Sequence, residues 1–203
     1  MTIYILIITV LVSLIAFQSR EIYSRLIFNP YLISRHSEWY RFLSSGFIHA
    51  DWMHLAMNMF VLYSFGRSTE FYYGAVFEEK GWYYFLILYL GGILIALVPT
   101  YKKHRDDSYY NGLGASGAVS AIVFTSILFD PRNTIYLFPG LGIPGILFGV
   151  VYLVYSYQMD RKGNDNINHN AHFWGAIYGV VYTIALKPSL VLHFYRQLID
   201  GGN

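Results

Sequence analysis

The sequence predicts an all-α, polytopic membrane protein: six transmembrane helices forming a single domain over residues 1–203. Three observations carry this. The chain is 55% hydrophobic and only 13% charged, whereas soluble domains carry about 25% charged residues. Its mean hydropathy is positive, at +0.38. Apolar blocks recur at roughly 3–17, 52–66, 81–101, 115–129, 145–159 and 171–186, separated by short polar stretches. Several are shorter than the roughly 20 apolar residues a full crossing needs. Such blocks imply spans with polar ends, or helices that begin partway into the bilayer.

The first block lacks a basic leader and a small-x-small cleavage site, so it reads as a retained anchor rather than a cleaved signal. The stretch 18–48 follows, mixed and aromatic, with Arg20, Glu21, Arg25, Arg35, Glu38, Trp39 and Arg41. That composition suits a connector at headgroup level, where Trp and Tyr prefer to sit. The second block carries His54 and Asn58, with His49 just before it. The third ends in the polar run Lys102-Lys103-His104-Arg105-Asp106-Asp107. The fourth opens at a glycine-rich turn and stops at Asp130-Pro131, so it is short and starts below the membrane surface. From Ile135 to Gly145 the chain is apolar but contains Pro139, Gly140, Gly142, Pro144 and Gly145. This predicts a lead-in loop before the fifth helix. The sixth block carries His172, Gly175 and Gly179.

Charge and composition also exclude. A net charge of +2 with scattered basic residues gives no nucleic-acid stripe. With no cysteine, disulfides, thiolate catalysis and Cys-ligated zinc are ruled out. Nothing calls for a cofactor or a metal, and no oligomeric state is read from the pattern.

Polar side chains inside hydrocarbon are costly, so three insertions point to function: His54-Leu-Ala-Met-Asn58, Gly114-Ala-Ser-Gly117 and Ala171-His172-Phe-Trp-Gly175. His54 and Asn58, at i and i+4, share a helix face and can converge on one acceptor, as a developing oxyanion requires. Read singly, such a pair is as often interhelical glue. Ser116 opens a helix, beside unpaired N–H groups and the positive end of the dipole. The plainer reading is an N-cap on a closely packed helix. Gly175 and Gly179 form a small-residue face one turn below His172, able to press against the Gly117/Ala121 side of the fourth helix and bring His172 toward Ser116. Together the fragments supply a nucleophile, a base and two oxyanion donors, the parts of acyl transfer.

In this order the motifs His49-x4-His54-x3-Asn58, Gly114-x-Ser116-Gly117 and His172-x2-Gly175-x3-Gly179, with Arg41 upstream, resemble those of the rhomboid intramembrane serine proteases. The resemblance implies a six-helix bundle with a water-reached active site sunk below the extracytoplasmic surface. It implies Ser116 as nucleophile and His172 as base, with His54, Asn58 and the Ser116 backbone N–H as oxyanion site. Gly114, Gly117, His49, Gly175 and Gly179 would support them. The partners implied are the lipid bilayer and transmembrane protein substrates with small or helix-breaking residues near the membrane surface.

Two departures accompany it. The family's Trp-Arg pair appears here as Trp39-Tyr40-Arg41, with one residue intervening. The family topology, with a cytoplasmic N-terminus in the plasma membrane, puts Arg20, Arg25, Arg35, Arg41, Lys102, Lys103, Arg105, Arg161 and Lys162 outside, nine of 14 basic residues. That opposes the positive-inside bias. Two other classes compete: a membrane protein whose His49, His54, His169 and His172 bind a metal or relay protons, and a non-proteolytic rhomboid-like protein that binds membrane clients. The latter would be expected to lack Ser116 or His172.

Overall fold

The computed structural model describes residues 1–138, 140–163 and 167–199. Ten α-helices are found among them: α1 (Thr2–Gln18), α2 (Arg20–Leu26), α3 (Pro30–His36), α4 (Arg41–Ser44), α5 (Trp52–Phe77), α6 (Gly81–His104), α7 (Ser116–Phe129), α8 (Gly145–Lys162), α9 (His169–Leu186) and α10 (Leu190–Ile199). Each of the six apolar blocks is a helix, corresponding to α1 and α5 to α9.

The centre of the molecule is α7, buried at every residue from Gly117 to Phe129. A helix apolar all round and only 14 residues long is stable when other helices cover it on every side. Small residues make that coverage close. A Cβ added to Gly92 of α6 would lie 2.8 Å from Ala118 Cα, and one added to Gly117 would lie 2.8 Å from Ala96 Cβ. On the other flank, Cβ atoms at Gly175 and Gly179 of α9 would fall 2.1 Å from Gly117 O and 2.2 Å from Ala121 O. The predicted α7–α9 contact therefore exists and is backbone on backbone. Beneath it, Thr183 donates to Gly179 O (2.7 Å), Thr125 donates to the same carbonyl (3.1 Å), and Tyr73 OH meets Thr183 Oγ1 at 2.7 Å. Polar groups buried this way satisfy one another across three helices.

The structure departs from expectation in four places. The second helix runs to Phe77, well past 66. Its polar run Arg67-Ser-Thr-Glu does not end the helix, because those groups find partners inside the bundle: Thr69 donates to Ile122 O (3.2 Å) and Glu70 accepts from Thr2 N (3.2 Å). Second, the 18–48 connector is largely helical, with α2 and α3 capped by Ser19 and Asn29. Third, the fold is not purely α: Thr134–Phe138 (β1) and Leu141–Pro144 (β2) pair antiparallel, with Thr134 opposite Pro144. The β-branched and aromatic residues Thr134, Ile135 and Tyr136 favour a strand. Gly140 supplies a positive φ of 86° at the turn, while Pro139 lies outside the described residues. Fourth, α10 follows α9 at a bend of 112°, an element absent from the sequence reading.

Among the described residues, one helical stretch, Trp52–His104, is long and apolar enough to cross a membrane, or two stretches if α9 and α10 count as one span; α1 and α7 are apolar but shorter. Six full-length crossings are not what these lengths display. The Trp52–His104 stretch itself folds back. Glu78 takes φ +52°, and a Cβ on Gly81 would sit 2.7 Å from Tyr73 O, where a straight helix would separate residues eight apart by about 12 Å. The returning helix packs along the first through Tyr73–Phe85 (6.5 Å between ring centroids) and Phe77–Tyr84 (5.0 Å).

Candidate active site

The backbone leading into α7 is tied down residue by residue. Gly112 and Phe28 exchange N–H···O bonds of 2.9 and 3.0 Å, and Gly114 N donates to Ser45 O at 2.9 Å. Gly114 has φ +106°, a conformation only glycine adopts without strain. A Cβ there would also meet His54 Cε1 at 2.8 Å. Ser116 is then the first residue of α7, and the N-cap position itself is held by Ala115. The plain N-cap reading thus does not account for it.

His49 fastens this loop from below. Ala115 N donates to His49 Nε2 (3.5 Å), so Nδ1 carries the proton and donates to Ser13 Oγ (3.0 Å), whose own hydroxyl donates to Phe47 O (3.0 Å). This assignment of the tautomer follows from the network. The ring is fully buried. Burial first, and His54 second, push its pKa down to about 3 against the opposing pull of Asp51, so it stays neutral and can hold both bonds. His49 is a positioning residue joining α1, the turn before α5 and the loop before α7. Ser13 was not singled out from sequence, though Thr9 and Ser13, spaced i and i+4 on an apolar helix, signal an inward face.

Ser116, His172, His54 and Asn58 line one cavity of about 1030 Å³, together with Tyr152 and Ser120. Asn168 caps α9, accepting from Ala171 N (3.0 Å) and from Thr100 Oγ1 (3.2 Å), which fixes the helix end that carries His172. The His172 ring lies parallel to Tyr152 of α8, 6.3 Å between centroids and 20° between planes, and Tyr152 OH bonds Ser120 Oγ at 2.7 Å. Neither Tyr152 nor Ser120 was legible as a site residue. Among the hydrogen bonds of the described residues none joins Ser116 to His172.

His54 and Asn58 occupy the same wall. Asp51 caps α5 through His54 N (2.8 Å). His54 Nδ1 faces Ala50 N at 3.5 Å, which leaves Nε2 as the donor, beside Gly114. Asn58 is buried and one of its amide hydrogens goes to His54 O at 2.9 Å; the second remains to donate into the cavity. The four histidines sit as two pairs, His49–His54 at 5.0 Å and His169–His172 at 5.8 Å between centroids. Among the described residues no three His, Asp or Glu side chains converge as a metal site would require.

Arg41 is 5% exposed and donates to the carbonyls of Ser24 (2.8 Å) and Ile27 (2.9 Å) while paired with Glu38. It thus knots the connector that braces Phe28 and, through it, Gly112. Trp39, displaced by one position from the family pattern, packs on Phe42 (6.1 Å) and Tyr101 (5.7 Å).

A family model described as the Rhomboid domain matches residues 36–189, which includes every residue of the site. The chain belongs to the rhomboid family. It is 34% identical to the RHOMBOID-like protein 12, mitochondrial, of Arabidopsis thaliana over 68% of this chain and 44% of that protein. Against the Rhomboid-like protein 11, chloroplastic, of the same plant the identity is 29% over 74% and 54%. Against the Rhomboid protease AarA of Providencia stuartii it is 30%, over 77% and 59%. The chain spans about half the length of the curated relatives it matches. Membrane residence goes with the rhomboid family. The expected plasma membrane has no counterpart, because the relatives whose names carry a location are mitochondrial or chloroplastic.

Proposed function

We propose that this rhomboid is an intramembrane serine endopeptidase that cuts peptide bonds in or near the transmembrane segments of other proteins. The observation that carries the reading is the shared cavity: Ser116 and His172 line it from two helices whose backbones touch at Gly117 and Gly175, and His54 and Asn58 line it from α5. His172 takes the Ser116 proton as the hydroxyl attacks the scissile carbonyl, then returns it to the leaving amine. His54 Nε2–H, the second Asn58 amide hydrogen and the Ser116 N–H at the start of α7 stabilise the oxyanion. Because a helix hides its carbonyls in internal hydrogen bonds, the substrate segment unwinds before it is cut, which favours small and helix-breaking residues there. In the bilayer, α1 and α5 to α9 are the six crossings, the short ones covered by their longer neighbours, with the cavity opening on the extracytoplasmic side.

A second reading, a client-binding protein without proteolysis, would use the same cavity of about 1030 Å³ to hold a segment of its client. Labelling with a serine-directed fluorophosphonate separates the two. We expect labelling at Ser116 and cleavage of a model transmembrane substrate, both abolished in Ser116→Ala while the melting temperature is kept. A native chain that neither labels nor cleaves, or a Ser116→Ala variant that still cleaves, overturns the protease reading.

A further inference from the structure

Helix α8 has two working faces. One presents Phe148 and Tyr152 to the cavity of Ser116; the other, with α9, forms a separate groove of about 590 Å³ on the outside of the bundle. Its walls include Leu153, Val154 and Tyr157 of α8 and Phe173 of α9, and Arg161 and Lys162 stand at one end. Tyr157 of α8 and Phe173 of α9 approach to 6.2 Å between ring centroids. From Arg161 back to Leu153 the groove runs about 12 Å along the helix.

The distribution of chemistry along the groove selects its occupant. Apolar walls with cations confined to one end suit an amphiphile with a negative head. The cations are available to it. The Arg161 guanidinium lies over the Tyr157 ring at 5.8 Å, a contact that orients its donor fork without consuming it. The neighbouring carboxylate, Asp160, is engaged elsewhere, by Lys103 at 3.6 Å and Asn170 at 3.1 Å. Among the described residues neither Arg161 nor Lys162 forms an ion pair. Their position in the last turn of α8 gives each a small favourable interaction with the helix dipole, which explains cations there but not an apolar trough leading away from them.

We propose that this groove is a binding site for an anionic phospholipid, with the phosphate between Arg161 and Lys162 and one acyl chain lying along Val154 and Tyr157 against Phe173. Basic pockets between membrane helices recognise such headgroups through charge and bidentate bonding. The site is separate from the serine chemistry, and its test does not depend on cleavage.

The full chain in neutral detergent is titrated with phosphatidylglycerol, with phosphatidylcholine, and with glycerol phosphate as a headgroup without tails. Melting temperature and the number of lipids retained in native mass spectrometry are read. Phosphatidylglycerol is expected to be retained on the order of tenfold more strongly than phosphatidylcholine, as one lost charged contact implies, and to raise the melting temperature more. The R161Q/K162Q double variant should lose that preference and keep the phosphatidylcholine baseline. Val154→Trp, which fills the trough at an exposed apolar position, should weaken retention of both lipids, and it carries the test if the double variant does not fold. Equal retention of the two lipids by the native chain, an unchanged preference in the double variant, or full stabilisation by glycerol phosphate alone would each overturn the proposal.

Discussion

His49 shows how one neutral side chain can hold the loop before α7. Its pKa is about 3 in the folded chain, against about 6.5 when unfolded. Below pH 6.5 the unfolded chain therefore binds a proton that the folded chain refuses, so stability is full above that pH and declines as pH falls toward 3, by up to about 1.4 kcal/mol per pH unit. His49→Gln, which cannot titrate, should melt lower at pH 7 and show a shallower fall in melting temperature between pH 7 and 5 than the native chain; parallel slopes would refute the assignment. For Asn58 the question is what its free amide hydrogen does. As an oxyanion donor, Asn58→Ala lowers kcat by about 10²–10³ with little change in KM. If the bond to His54 O is its whole role, melting falls and kcat per folded molecule does not. Turnover and melting curves on that single variant decide.

At the scale of elements, the close contacts of α9 give a graded prediction. Gly175→Ala and Gly179→Ala put a methyl within about 2 Å of a carbonyl oxygen of α7, where neither backbone can yield. Both should lose several °C of melting temperature, and Gly175→Ala should also lose turnover by shifting His172 from Ser116. Gly74→Ala on α5 has nothing within 4 Å of its new Cβ and should be neutral, or stabilising by up to about 1 kcal/mol through helix propensity. The same contacts explain what the sequence made legible. The six blocks and the Gly175/Gly179 face could be read because apolar runs and small-residue spacing are local signals. The extension of α5 past Gly66 could not, because the partners that absorb its polar residues, Thr2 and Ile122, are distant in sequence. Tyr152 is a similar case: one tyrosine among 20 becomes a site residue only once α8 is docked beside His172. The β1–β2 hairpin was obscured by its prolines and glycines, which signal loops and hairpin turns alike.

Across the whole molecule, the site is assembled from four sources: the loop before α7 with its first residue, the start of α5, the start of α9 and Tyr152 of α8. Among the described residues no three His, Asp or Glu side chains converge there, and the histidines fall into two pairs. As a serine-histidine enzyme its turnover should survive EDTA, whereas a loss restored by zinc would favour the metal-binding alternative. Thr183→Val probes the opposite end of the bundle: it removes the bonds to Tyr73 and Gly179 and should lower stability by about 1–3 kcal/mol, leaving turnover per folded molecule unchanged at permissive temperature.

The shortness of α7 makes it a ruler. Its 14 residues measure about 21 Å, against a hydrocarbon thickness of about 30 Å. In the proposed bilayer arrangement, with Asp130 at one boundary, Ser116 would stand about 9 Å inside the other. A peptide that descends to Ser116 as extended chain covers that depth in about three residues, and as helix in about six. Sliding a cleavable sequence along a substrate's membrane segment should therefore move the efficiency of cutting through a maximum a few residues below the interface, and adding one turn to α7 should displace that maximum toward the surface.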